Sequence, residues 1–132
     1  MTLIKLQSTR PLVLGCAAIV LGALCLADSP VLAQKIPNYC RKGESTFLTM
    51  ETKTYWVSIC GGDNPNSYVG VNKKDRRQNI RVPLKDFDPK GTYFDAVNKD
   101  VEYTLAKTPK GNFLTVTKGQ RELLREPVLR GW

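Results

Sequence analysis

The chain has 132 residues, with twenty lysines and arginines against twelve acids and no histidine, for a formal charge of +8. Without imidazole, histidine-dependent serine and cysteine triads, imidazole general bases and most zinc sites are excluded. The positive balance favours anionic partners, and the length leaves room for one small domain behind a leader.

Residues 1–33 read as an export signal. Lys5 and Arg10 supply a positive start, Pro11 to Leu26 is an apolar run without a charge, and Val31-Leu32-Ala33 offers a small-residue cleavage site before Gln34. A retained anchor is the alternative, with Pro11 to Ala27 near the lower length limit for a span. A lipoprotein reading through Val13-Leu14-Gly15-Cys16 sits poorly with an apolar run that continues to Leu26. Cleavage near Ala33 makes 34–132 a periplasmic or extracellular domain that meets the membrane only transiently, through its signal. Nucleic acid suits the charge but not that compartment.

Loss of Lys5, Arg10 and Asp28 with the leader leaves eighteen bases against eleven acids, a net charge of +7. Cys16 and Cys25 leave as well, so Cys40 and Cys60 are the remaining thiols. In an oxidising compartment two cysteines most simply form one disulfide, and the pair lacks the Cys-x-x-Cys spacing of a redox centre. Closing a loop of roughly twenty residues contributes about 3 kcal/mol by restricting the unfolded chain.

Turn residues then recur every eight to twelve positions, the rhythm of short antiparallel strands. Strands are expected at Ser45 to Met50 and at Thr52 to Cys60, where Tyr55, Val57 and Ile59 share one face and Thr54, Trp56 and Ser58 the other. Gly61 to Asn66 turns the chain into a strand at Ser67 to Asn72, with Val69 and Val71 on one face. After a basic connection at Lys73 to Gln78, Ile80, Val82 and Leu84 alternate in a fourth strand, which Pro83 places at an edge or stops pairing. Lys85 to Gly91 reads as an exposed loop. Strands at Thr92 to Asn98, Val101 to Lys107 and Asn112 to Thr117 follow, joined by Lys99-Asp100 and Thr108 to Gly111. Lys118-Gly119 leads to a strand beginning at Gln120 and a loose tail, although Arg121 to Leu129 also admits a short helix. The expectation is an all-β fold, a small antiparallel barrel of about eight strands with one disulfide, closed or nearly closed so that no edge is exposed. A two-sheet sandwich is the alternative.

Catalytic chemistry is scarce. Asp86 and Asp88 sit beside a proline as solvated loop acids, whereas glycosidase carboxyls face each other across a cleft. Asp63, Asn64 and Asn66 offer calcium-type oxygens, but turn chemistry accounts for them. No cofactor, metal or catalytic residue is expected. Lys73, Lys74, Arg76, Arg77 and Arg81 form the densest charge on the chain, a candidate anion patch whose alternative is a solvated hairpin tip that discourages edge association.

Cys40 to Phe47, Tyr55 to Pro65 and Tyr68-Val69-Gly70 together resemble a family of small exported cyanobacterial proteins, a likeness that covers nearly the whole mature chain and implies no biochemical role. A more distant resemblance, to the membrane-bound inhibitors of c-type lysozyme, rests on Tyr39 and Cys40 near the mature start, Gly91-Thr92-Tyr93, Tyr103-Thr104-Leu105, Lys110-Gly111 and Gly119 to Leu124. That resemblance implies an eight-stranded barrel whose Ser-Gly-x-x-Tyr and Lys-Gly loops enter the lysozyme cleft. Here Lys90-Gly91-Thr92-Tyr93 lacks the serine and is one residue shorter, Lys110-Gly111 matches, and Arg125-Glu126 stands where the family's bridge ends. Lys90, Gly91, Tyr93, Lys110 and Gly111 are therefore the candidate partner-binding loops. The reading as a whole is an exported non-catalytic binding or envelope-associated protein, its partner an extracytoplasmic protein or an anionic glycan or lipid.

Overall fold

Alternation of apolar and polar residues between closely spaced turns leaves each strand with one face to bury, and a sheet that curls on itself buries all of them at once. The computed structural model describes residues 34–132; residues 1–33, where the export signal is expected and where Cys16 and Cys25 fall, lie outside the described residues. Eight strands follow in chain order: β1 (Ser45–Glu51), β2 (Tyr55–Gly61), β3 (Pro65–Asn72), β4 (Asn79–Phe87), β5 (Tyr93–Asn98), β6 (Val101–Thr108), β7 (Gly111–Lys118) and β8 (Arg121–Pro127). Each pairs antiparallel with its predecessor, giving one sheet in the order β1 to β8. One continuous meander is a barrel-like solution rather than two stacked sheets, and the expected all-β class and strand number are met.

The interior is filled by the inward set of each strand: Leu48 and Met50, Val57 and Ile59, Val82, Phe94 and Ala96, Leu105, and Leu114. Tyr55, Val57 and Ile59 share this face as expected. On β3 the valines belong to the opposite side. Tyr68 faces the interior, while Val69 and Val71 are buried on the outer face of the sheet with Cys60, Tyr39 and Trp56. The segment before β1 lies over that outer face. The Tyr39 amide donates to Ser58 Oγ at 3.0 Å, and Cys40 is disulfide-bonded to Cys60 with their Cα atoms 5.5 Å apart.

Two expectations are corrected. Lys85, Asp86 and Phe87 are strand rather than loop: β4 pairs with β3 through Asn79–Pro83 and then with β5 through Leu84, Asp86 and Phe87. Pro83, which has no N–H to give, sits at this hand-over, where a missing donor disrupts least. The C-terminal tail is not loose, although the last strand forms where expected, at Arg121–Pro127, and the alternative helix is not formed. After β8 the tail bridges back to β1: the Glu51 amide donates to the Arg130 carbonyl at 2.9 Å, and the Leu129 amide donates to the Glu51 carbonyl at 2.7 Å. Trp132 then packs on Phe94, 6.2 Å between ring centroids, and donates from Nε1 to the Gly91 carbonyl at 2.9 Å. A Cβ at Gly131 would lie 2.2 Å from the Thr49 carbonyl oxygen, and its φ of +83° is one that L side chains rarely adopt, so only glycine fits where the tail meets β1.

Candidate functional site

In a meander, alternate connections lie at opposite ends. The β1–β2, β3–β4, β5–β6 and β7–β8 turns share one end, and the other carries the β2–β3, β4–β5 and β6–β7 connections. The sequence candidates therefore divide between the two ends.

The basic run occupies the β3–β4 connection, and much of its charge is matched locally. Lys73 pairs with Glu51 and donates to the Thr52 carbonyl at 3.0 Å. Arg77 takes both oxygens of Asp75, from Nε at 3.0 Å and from its terminal nitrogen at 3.2 Å, which holds the Asp75 carboxyl below its usual range. Arg81 pairs with Glu44. The Glu44 carboxyl is held down first by its bond from the Arg41 amide and then by Arg81. Lys74 is exposed. Arg76 lies over Trp56, with its guanidinium carbon 5.3 Å from the ring centroid, and Trp56 in turn meets Tyr39 at 6.3 Å. These groups border a cleft of about 340 Å³ on the outer face, lined by Arg41, Arg76, Arg81 and Tyr39 over a floor of Val69 and Val71. Arg41 comes from the segment fixed by the disulfide, 32 or more positions from the run, so nothing local in the sequence joins it to the patch.

At the far end, the candidate loops lie close to each other. The Lys107 amide donates to the Thr92 carbonyl at 2.8 Å, and Trp132, anchored on Gly91, has Lys107 Nζ 5.5 Å above its ring. Lys90 and Gly91 line a cleft of about 480 Å³ with Phe47, Phe87 and Asp88. The carboxylates here act as loop fixings. Asp88 accepts from the Thr92 hydroxyl and the Lys90 amide, which lowers its pKa, and Asp86 accepts from the Tyr93 hydroxyl at 2.7 Å, which raises the phenol. Thr108 Oγ1 accepts the Lys110 amide at 3.1 Å and donates to the Gly111 carbonyl at 2.7 Å, which shapes the Lys110-Gly111 turn. Lys90 and Lys110 themselves are exposed.

Sequence reasoning missed a third feature, inside the barrel at the end opposite Lys90. A cavity of about 450 Å³ is lined by Tyr55, Tyr68 and Tyr103, with Ile80, Val116 and Leu124 among its apolar walls. Tyr68 is only 2% exposed and stacks across the interior on Tyr103, 5.3 Å between centroids. Its phenol is pushed strongly up, first by burial and then by the neighbouring Tyr103, Tyr55 and Glu126. A sequence signal existed: tyrosine and glycine, at 68 and 70, alternate with the two valines, and a polar-tipped ring followed by a residue without a side chain leaves interior space.

Among the described residues, no group of three or more histidine, cysteine, aspartate or glutamate side chains is placed to hold a metal ion, and no helix is long and apolar enough to cross a membrane. No family model, curated protein or solved structure matches this chain. Its functional reading rests on the geometry of these three features.

Proposed function

We propose that this chain is an exported, non-catalytic binding protein whose basic outer face engages an acidic glycan of the cell envelope. The observation that carries the reading is the outer cleft, where Arg41, Arg76 and Arg81 border an aromatic pair, Tyr39 and Trp56. Guanidinium groups present several donors in a planar fork suited to carboxylate or sulfate, and flat aromatic faces pack against sugar rings. The net charge of +7 on residues 34–132 would draw such a polymer in over the screening distance of about 8 Å at physiological salt. The Cys40–Cys60 bond suits an oxidising compartment, in keeping with the signal-like residues 1–33. Retention on an immobilised acidic polysaccharide tests this. Native protein should elute late and earlier as salt rises, and the double substitution Arg41→Ser with Arg76→Ser should elute well before it. Equal retention of the two proteins would remove the cleft from consideration.

A second reading, inhibition of a c-type lysozyme, draws on the placement of Lys90 and Lys110 at one end of the barrel. It requires that the native protein slow cell-wall lysis by such an enzyme and that Lys110→Ala relieve the effect. No slowing by the native protein ends it.

A further inference from the structure

The tyrosine-lined cavity adjoins the arginine cleft at Asn79 and Ile80, which line both, and it contains an anomaly. Buried hydroxyls are nearly always hydrogen-bonded, because leaving one unpaired costs on the order of 1–3 kcal/mol. Tyr68 is buried, yet among the described residues its hydroxyl has no hydrogen-bond partner.

The ring's direction is set by Gly70. A Cβ added there would lie 3.0 Å from Tyr68 Cε1 and 3.1 Å from its hydroxyl oxygen, so the tyrosine leans along β3 from position 68 towards 70. That direction leads to the end that carries the β3–β4 turn, and so to the cavity that Tyr68 and Gly70 both line. An alanine at Gly70 would compete with the ring for this space, so the glycine permits the pose. Tyr55 and Tyr103, also lining the cavity, have phenolic hydroxyls that likewise lack a hydrogen-bond partner among the described residues. The result is a largely apolar chamber with three phenolic donors, the amide residues Gln78 and Asn79 also in its lining, a volume of about 450 Å³ and no charged side chain. Small-molecule sites have this composition: mostly hydrophobic walls, a few placed polar groups, and about 300–1,000 Å³ of space.

We propose that this end of the barrel binds a small, neutral, apolar molecule bearing a carbonyl oxygen, which accepts a hydrogen bond from Tyr68. Neutrality follows from the surroundings. No cation in the lining would compensate a ligand carboxylate, and Glu126 stands near enough to Tyr68 to oppose negative charge there. No anion in the lining would compensate an amine. The apolar walls, Ile80, Val101, Val116 and Leu124 among them, would cover the ligand's hydrocarbon part. An acceptor is specified because a phenol in an apolar chamber gains most by donating its proton.

The probe is prodan, a neutral naphthyl ketone whose emission moves to the blue on leaving water, titrated against the full protein with its disulfide intact. One saturable site with blue-shifted emission is expected. Tyr68→Phe should weaken it about five- to tenfold, the loss of one hydrogen bond. The same variant should melt at or above the native temperature, since it deletes a hydroxyl without a partner, and this separates lost binding from lost fold. Val101→Phe, which narrows the chamber from its wall, should reduce binding further. The anionic naphthalene sulfonate ANS should bind more weakly than prodan, and Arg41→Ser with Arg76→Ser should leave prodan binding unchanged, so failure of the glycan reading is scored separately. The proposal is overturned by absence of a saturable prodan site in the native protein, by equal affinity in Tyr68→Phe, or by ANS binding as tightly as prodan.

Discussion

Glu51 is where the barrel's first strand, its basic connection and its tail meet, and substituting it by glutamine tests what closes the sheet. One oxygen accepts Arg130, with Nε at 2.8 Å, and the other accepts Lys73, while the residue's backbone bonds to residues 129 and 130. The Glu51 side chain is 13% exposed, Lys73 23% and Arg130 37%, so these pairs are partly desolvated rather than solvated surface pairs. Charge-assisted hydrogen bonds contribute about 1.5–3 kcal/mol each when buried, and halving the two for solvent screening gives about 2 kcal/mol. For a domain of this size that corresponds to a fall in melting temperature of roughly 8–16 °C. The bonds from Lys73 and Arg130 hold the Glu51 carboxyl below its unfolded value of 4.5. A lowered carboxylate pKa adds stability that is fully present above the unfolded value and is lost as pH falls through the folded one. Urea unfolding followed by tryptophan fluorescence should therefore show the full gap between native and Glu51→Gln protein at pH 7, narrowing as the pH drops below about 4.5. A gap under about 0.5 kcal/mol at pH 7, the range of ordinary surface changes, would refute the clasp.

Two further perturbations act on the same architecture. Replacing Cys40 and Cys60 by serine should cost about 3 kcal/mol, the loop-closure value for a bridge of this span, and should loosen the segment covering Val69 and Val71; protection of the Tyr39 and Val71 amides from hydrogen exchange would report it. Gly131→Ala places a methyl against the Thr49 carbonyl and strains a left-handed backbone, so it should destabilise by about 1–3 kcal/mol and expose Trp132 to a quencher; unchanged quenching would contradict the docked tail.

Strand periodicity was legible because it is local. Tyr55, Val57 and Ile59 alternate with polar positions and turn residues bound each segment, so β1 to β8 fall within a few residues of their sequence positions. The disulfide was legible by elimination. What the sequence withheld depends on register between distant strands. Lys73 reads as part of an open basic run, but its partner is Glu51, 22 positions away with β2 and β3 between them. Pro83 reads as an edge marker because its missing donor is visible and the change of partner along β4 is not. The valines of β3 read as a core face, and they are one, but of the outer cluster under Tyr39; the barrel interior takes Tyr68 and Gly70, which is why the cavity escaped notice.

The tail that bridges back to β1 imposes an order of events on the chain's own synthesis. Every ladder joins neighbours in sequence, so hairpins can form as soon as they emerge, but the clasp joins positions 51 and 130, separated by 79 residues. Until residues 130–132 have emerged, Glu51 and Phe94 have no partner in Arg130 and Trp132, and the sheet remains a ribbon with two open borders. A nascent polypeptide that has not yet released residues 130–132 is thus held short of its final state, a condition in which it can still be threaded, extended, through a narrow channel. By the same reasoning a fusion appended directly to Trp132 would have to accommodate the turn at Gly131 and the indole's seat on Gly91, whereas one placed ahead of Gln34 would not.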